Sequence, residues 1–135
     1  MAVKVYKPTT PGRRKASVQD FSDITKTKPE RSLVKRLNRH SGRNNTGQIT
    51  VRHRGGGVKR LYRIVDFKRT NFDQVGEVIA IEYDPNRGPR VILVEYEGGK
   101  KAYHLGYAGV AVGDKICSSN AKIEPTPGAR MPIGE

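Results

Sequence analysis

The sequence predicts a mostly β protein, a small antiparallel barrel preceded by a long basic, largely irregular N-terminal extension. Three observations carry that reading. The first is a lopsided charge. The formal net charge is +13, yet residues 1–60 hold 16 Lys and Arg against 3 Asp and Glu, whereas residues 61–135 hold 10 against 10. The second is that apolar residues divide the other way, 15 of 60 in the first part and 32 of 75 in the second. The first part therefore lacks the apolar surface to fold alone, and the second can build a small core that gains from a partner. The third is that from Leu61 onward short apolar runs alternate with turn signals and show almost no helical period. The expected division is a basic extension over 1–60, a barrel over 61–123 and a linker over 124–135.

In chain order, Val3 to Tyr6 alternates and predicts a short strand. KPTTPGRRK, residues 7–15, is a basic run punctuated by Pro and Gly. There Arg13, Arg14 and Lys15 read as phosphate contacts more readily than as an ordinary solvated terminus, because the whole extension shares their bias. Pro29 followed by Leu33, Val34 and Leu37 predicts one or two helical turns, Pro being tolerated in a first turn. Asn44, Asn45 and Gly47 signal a turn, after which Gln48 to Arg52 alternates as a strand would.

Leu61 to Phe67 reads as a strand of core type with Arg63 among its apolar residues, and Val75 to Tyr83 as the next. The turn DPNRGP, Asp84 to Pro89, leads to a strand over Val91 to Glu97, and Gly98 with Gly99 predicts a tight hairpin into Lys100 to His104. Shorter strands are expected near Lys115 and Ile116 and near Lys122 and Ile123. Five or so short strands in so few residues favour closure, which removes vulnerable edges, and an OB-type barrel is the preferred form.

Several classes are disfavoured. Cys117 is the sole cysteine, so an intrachain disulfide scaffold is excluded and a buried or inert thiol is expected. No stretch approaches the roughly 18 apolar residues of a membrane helix, and the start lacks the apolar run of a signal peptide. An unsorted, reducing compartment is expected.

The densest chemistry lies between Ser41 and Arg69. Arg52, Arg54, Lys59 and Arg60 flank Gly55, Gly56 and Gly57, so long cationic side chains stand beside backbone that can approach a polyanion closely. Such a row of forks and point charges suits successive phosphates, and RNA or DNA is the natural partner. The glycine triplet has neither P-loop spacing nor the GxGxxG pattern after a strand. His40, His53 and His104 have no Cys or carboxylate partners at ligand spacing, so a metal site is not expected, and His53 fits a hydrogen-bonding or stacking role on RNA. Asp84 reads as a turn former, with Arg87 presented outward from the same turn. Glu95 and Glu97 share one face of a strand and read as solvated. Tyr62, Tyr83, Tyr96, Tyr103 and Tyr107 fit either a core or base stacking.

GRNNTGQITVRHRGGGVKRLYRIVDFKR at 42–69, EYDPNR at 82–87 and the opening KPTTPGRRK at 7–15 together resemble the second protein of the bacterial-type large ribosomal subunit, in its N-terminal portion. The resemblance spans essentially the whole chain. It implies a basic extension, an OB-type barrel and, beyond Glu135, a Src-homology-3-like barrel with a basic tail. It also implies primary binding to large-subunit rRNA near the peptidyl-transferase centre, a part in subunit association and residence in the cytoplasmic ribosome of bacterial type rather than an organellar one. Other ribosomal proteins are implied partners, and no membrane or small-molecule substrate is.

Matched position by position, the resemblance implies rRNA contacts from Arg13 and Arg14, from Arg43, Asn44 and Asn45, and from Arg52, His53, Arg54 and Gly55 to Gly57, beside the Lys15 already read as a phosphate contact. It extends them to Lys59, Arg60, Lys68, Arg69 and the Arg87 of the DPNR turn. Val58 stands where the family pattern has a histidine. No catalytic residue, metal site or cofactor is implied, magnesium entering only as part of the RNA environment. The competing readings are a free OB-type single-stranded RNA-binding module or RNA chaperone, whose basic groove would lie on the barrel, and a nuclease or transferase, which would need a carboxylate cluster or a His and acid pair.

Overall fold

The structure, a computed structural model, describes residues 3–133. Among them are eight strands and three short 3-10 turns, and no α-helix. β1 (Val3–Val5) and β2 (Ser17–Gln19) form a hairpin, and β3 (Val34–Arg36) pairs antiparallel with β4 (Leu61–Arg63). β5 (Val75–Glu82), β6 (Val91–Tyr96), β7 (Lys100–Leu105) and β8 (Lys115–Cys117) build a four-stranded antiparallel sheet in the order β7-β6-β5-β8.

The core is organised around β6, whose sequence VILVEY is buried on both faces. Ile92, Val94 and Tyr96 meet Val78, Ile81, Ala102 and Ile116 on one side. Val91 and Leu93 meet Ala80 and Tyr103 on the other, with Leu33 and Val65 packed over them. A strand covered on two sides reads as a continuous apolar run rather than an alternation. Burying each such side chain contributes about 1.5–3 kcal/mol. β5 begins with alternating burial at Gly76 and Val78, then loses the alternation where its register against β6 shifts between Val78 and Ala80. One extra residue there bends the strand and re-aims the side chains of its second half. Gly98 and Gly99, at φ +82 and +75, make the tight connection from β6 to β7 that their sequence predicts.

Both margins of the sheet are covered, as an OB-type barrel requires. Val65 forms a parallel bridge to Tyr103 on β7, where the Asp66 amide donates to the Tyr103 carbonyl at 2.9 Å. At β5 the Thr25 amide donates to the Ile81 carbonyl at 3.1 Å, and the Ile81 amide returns a bond to the Thr25 hydroxyl at 2.9 Å. Beyond β8 the tail turns back, with Arg130 donating to the Cys117 carbonyl at 3.1 Å and accepting from Ser119 at 2.9 Å. The mostly β, OB-type architecture expected from the sequence is therefore present.

No described residue before Leu61 is buried, which fits the small apolar content of that stretch. Part of it is nonetheless stapled to the sheet. Arg90 donates through Nε and Nη2 to the Asp23 carboxylate at 2.8 and 2.9 Å and through Nη2 to the Asp20 carbonyl at 2.9 Å. The Glu30 amide donates to the Tyr103 hydroxyl at 2.8 Å.

Four local expectations need correction. The helical turns expected after Pro29 reduce to a 3-10 turn at Arg31–Leu33, because the chain must extend at once to pair β3 with β4. Gln48 to Arg52 is no strand; it is held by an isolated bridge from Ile49 to Arg43 and by turn bonds to Gly42 and Asn44 rather than by a strand ladder. The region near Lys122 forms no strand, its place beside Ser118 being taken by Arg130. Most informative is β4, which is turned inside out. Leu61, Tyr62, Ile64 and Phe67 are 36–62% exposed while Arg63 is only 4% exposed. Arg63 faces inward because Glu82 and Asp84, both fully buried, lie at 3.5 and 3.9 Å from its guanidinium.

Candidate nucleic-acid interface

The antiparallel register of β3 and β4 places Arg36 opposite Leu61. Chain running past Arg36 and chain approaching Leu61 must therefore lie side by side, and they enclose a cleft of about 500 Å³. Arg36, Arg39 and His40 line one wall, and Gly56, Gly57, Lys59 and Arg60 the other. Gly57 has φ +96, and a Cβ there would collide with the Arg39 guanidinium. The missing side chain lets that cation lie across bare backbone.

The strip between the walls is held by its own turns. Thr50 and Val51 both donate to the Gly42 carbonyl, at 2.8 and 3.1 Å, and the Asn44 amide donates to Gln48 at 3.0 Å. The Asn44 side-chain oxygen accepts from the Thr46 amide and hydroxyl and the Gln48 amide at 3.1, 2.8 and 2.9 Å. Arg43 donates to the Ser41 carbonyl at 2.7 Å. Asn44 and Arg43 are thus engaged in shaping the loop, while Asn45, Arg52, His53 and Arg54 are exposed, His53 at φ +60.

Electrostatically the cleft is uncompensated. Among the described residues the ion pairs are Lys26 with Glu30, Arg63 with Glu82 and Asp84, Arg87 with Asp84, and Arg90 with Asp23. None uses a cation between residues 31 and 60. Cations at such density repel one another and are relieved by a polyanion.

The other expected contact residues lie elsewhere. Arg13, Arg14 and Lys15 are exposed in the β1–β2 connection, with Arg13 stacked 5.2 Å over the Tyr6 ring. Lys68 is exposed, whereas Arg69 donates to the Gly128 carbonyl and ties down the tail. Arg87, expected to point outward, is folded back instead. It pairs with Asp84, lies 5.0 and 5.7 Å over the rings of Tyr62 and Phe67, and has a side chain 14% exposed.

Among the tyrosines, Tyr96 and Tyr103 are core, Tyr107 packs at its margin, and Tyr62 and Tyr83 are exposed. His104 is buried, bonded to the Tyr96 hydroxyl at 2.8 Å and the Asp66 carbonyl at 3.1 Å, and burial pushes its imidazole below the ordinary value. No group of three or more His, Cys, Asp and Glu among the described residues could hold a metal ion. Reading the sequence missed Arg36, Arg39 and His40 as cleft residues. RLNRH followed by a Ser-Gly turn is a signal of sorts, but only the strand register shows what it faces.

Comparison with known proteins bears directly on this cleft. Residues 30–118, which contain it, match the family described as "Ribosomal Proteins L2, RNA binding N-terminal domain". The chain is 53% identical over 133 residues to "Large ribosomal subunit protein uL2" of Paracoccus denitrificans (strain Pd 1222) and 54% identical over 133 residues to the protein of that name from Ruegeria sp. (strain TM1040). In each case 98% of this chain and 47% of the relative are covered, so the chain spans about half the length of the curated relatives it matches. A family pattern over well more than half of the chain and relatives of such identity leave one assignment: this chain belongs to the ribosomal protein L2 family, in the part described as its RNA-binding N-terminal domain.

Proposed function

We propose that the chain is a structural constituent of the large subunit of the bacterial-type cytoplasmic ribosome, binding large-subunit rRNA and lying among other ribosomal proteins. Residues 1–60 act as an RNA-threading arm, residues 61–123 as the barrel that anchors it, and residues 124–135 lead onward. The observation that carries this reading is the cleft between residues 36–41 and 56–60, whose cations form no ion pair with a carboxylate among the described residues. Arg13, Arg14, Lys15, Asn45, Arg52, His53, Arg54, Lys59, Arg60 and Lys68 are the proposed direct contacts. Arg43, Asn44, Arg69 and Arg87 support them by holding loops in place, and Gly55 to Gly57 let RNA backbone come close. The role is binding rather than catalysis, with no cofactor, membrane or small-molecule substrate. Through it the chain supports subunit assembly and the peptidyl-transferase region.

The test is a salt titration of binding to large-subunit rRNA. Log affinity should fall against log salt with a slope of about −0.9 per duplex phosphate neutralised, or about −0.7 on single strands. Replacing Arg52, Arg54, Lys59 and Arg60 by Ala should flatten that slope by roughly 3 units and cost orders of magnitude in affinity at low salt. Salt-independent binding of the unaltered chain would refute the proposal. So would an affinity for unrelated single-stranded RNA equal to that for rRNA, since that is the behaviour of a free single-strand module.

A further inference from the structure

A second depression adjoins the cleft and shares Lys59 and Arg60 with it, but its character is different. It has a volume of about 480 Å³, and Phe21, Ile24, Leu61 and Tyr83 line it. Phe21 and Tyr83 are 48% and 42% exposed and meet edge to face, with ring centroids 5.4 Å apart. The Arg90 guanidinium lies 5.1 and 5.9 Å over the rings of Phe21 and Tyr83, and the parts of the rings it leaves uncovered stay open beside the cationic strip.

The floor explains what could enter. Arg63 lines the depression, and its guanidinium is held to Glu82 and Asp84 only at 3.5 and 3.9 Å, both longer than an ordinary hydrogen bond. Its buried Nε donates no hydrogen bond, and one buried oxygen of Glu82 accepts none. Burial pushes the Glu82 carboxyl up, against the bond from Tyr103 and the charge of Arg63. Arg63 and Arg87 balance Glu82 and Asp84, so the floor is neutral overall while the exposed Lys59 and Arg60 are positive. A phosphate would be attracted to the margin and gain nothing at the floor. A neutral, flat, polar-edged group attached to a phosphate chain satisfies both parts.

We infer that this depression receives one unstacked nucleobase of the bound RNA, lying against the ring surface of Phe21 and Tyr83 that Arg90 leaves exposed while its flanking phosphates rest on Lys59 and Arg60. The inference deepens the proposed rRNA binding and rests on it. Stacking on aromatic side chains suits any base, because every base has a π-face, so the site selects an extruded nucleotide by its conformation more than by its identity. The occupant is RNA and not a protein side chain because the margin is cationic and the adjoining cleft follows a polyanion.

The experiment compares four forms of the full chain on in vitro transcribed large-subunit rRNA: unaltered, F21L/Y83L, F21Y/Y83F and K59A/R60A. Leu keeps apolar bulk and removes the π-face; the Tyr and Phe exchanges keep both. Expected for F21L/Y83L is an affinity loss of about ten- to a hundredfold, with the salt slope unchanged. F21Y/Y83F should match the unaltered chain, and K59A/R60A should flatten the slope. Ultraviolet cross-linking should join Tyr83 to a single unpaired nucleotide, and an abasic analogue at that nucleotide should weaken the unaltered chain but not F21L/Y83L.

Full affinity of F21L/Y83L under conditions where the unaltered chain shows its steep salt dependence would overturn the inference and leave rRNA binding standing. Equal loss in F21L/Y83L and F21Y/Y83F would also overturn it, by assigning the effect to packing. A Tyr83 cross-link to another ribosomal protein in the assembled subunit would do the same. Absence of rRNA binding by the unaltered chain is a different outcome, and removes both proposals together.

Discussion

Between Val75 and Cys117 buried side chains hold the backbone, whereas between Arg39 and Arg60 the backbone is held by local turns and a few polar side chains such as Arg43 and Asn44. In the sheet, Val78, Ile92, Leu93 and Val94 are fully buried and fix the strands in one register. In the strip, Ser41, Gly42, Gly47, His53, Gly56 and Gly57 take positive φ, and Asn44 supplies three hydrogen bonds where a core would otherwise act. The contrast teaches that an RNA-facing surface can be shaped without a core, provided a neighbouring fold anchors its ends. Here the anchors are the β3–β4 pairing, the Arg90 fork on Asp23 and the Glu30 bond to Tyr103.

Three changes would sharpen or break that division. The largest stability effect is predicted for Ile92→Ala, which empties a site of zero exposure at the centre of the sheet. A cost of about 2–5 kcal/mol is expected, read as a lower urea midpoint. The salt slope of RNA binding should stay the same at temperatures where the variant is folded. A changed slope would mean that core and strip are not separable.

Arg90→Met comes next. It keeps the apolar stem but removes the fork that grips Asp23 and the Asp20 carbonyl, and the guanidinium lying over Phe21 and Tyr83 at 5.1 and 5.9 Å. Because Asp23 is half exposed and recovers solvent, the expected loss is about 1–2 kcal/mol. Trypsin should then cut faster at Lys26 while the sheet stays protected. Unchanged cleavage there would show that the Thr25 and Glu30 bonds and the β3–β4 pairing anchor the arm without the fork.

The smallest effect concerns acid. Burial holds the His104 imidazole below its ordinary value of about 6.5. The unfolded chain therefore takes up that proton first as pH falls, so the neutral histidine's contribution is complete above about 6.5 and lost below it. Between pH 7 and 5.5 the unaltered chain should lose stability as the unfolded chain takes up that proton, and His104→Gln should flatten that part of the profile. A profile equally steep in the variant would place the titrating group elsewhere.

Legibility in the sequence divides along the same line. β5, β6 and β7 are legible because their apolar runs, the DPNRGP turn and the Gly98-Gly99 connection are all local signals. The face of β4 is not, because the carboxylates that draw Arg63 inward stand at 82 and 84, far along the chain, and alternation alone cannot say which side is the core. For the same reason Arg36 and Arg39 are indistinguishable from any other basic residues until β3 is registered against β4. Arg87 misleads for a nearer cause: Asp84, three positions away, serves the turn and also captures the guanidinium. The charge asymmetry, by contrast, needs no structure and points to a polyanion from composition alone.

The Arg90 fork and the Tyr103 hydroxyl reach partners 67 and 73 positions earlier in the chain. During synthesis at about 5–20 residues per second, the arm emerges on the order of 3–15 seconds before anything exists for it to lie against. Throughout that interval it is a bare polycation in a crowded cell. On the proposed function, its first meeting with nucleic acid would then belong to biosynthesis, ahead of the completed fold.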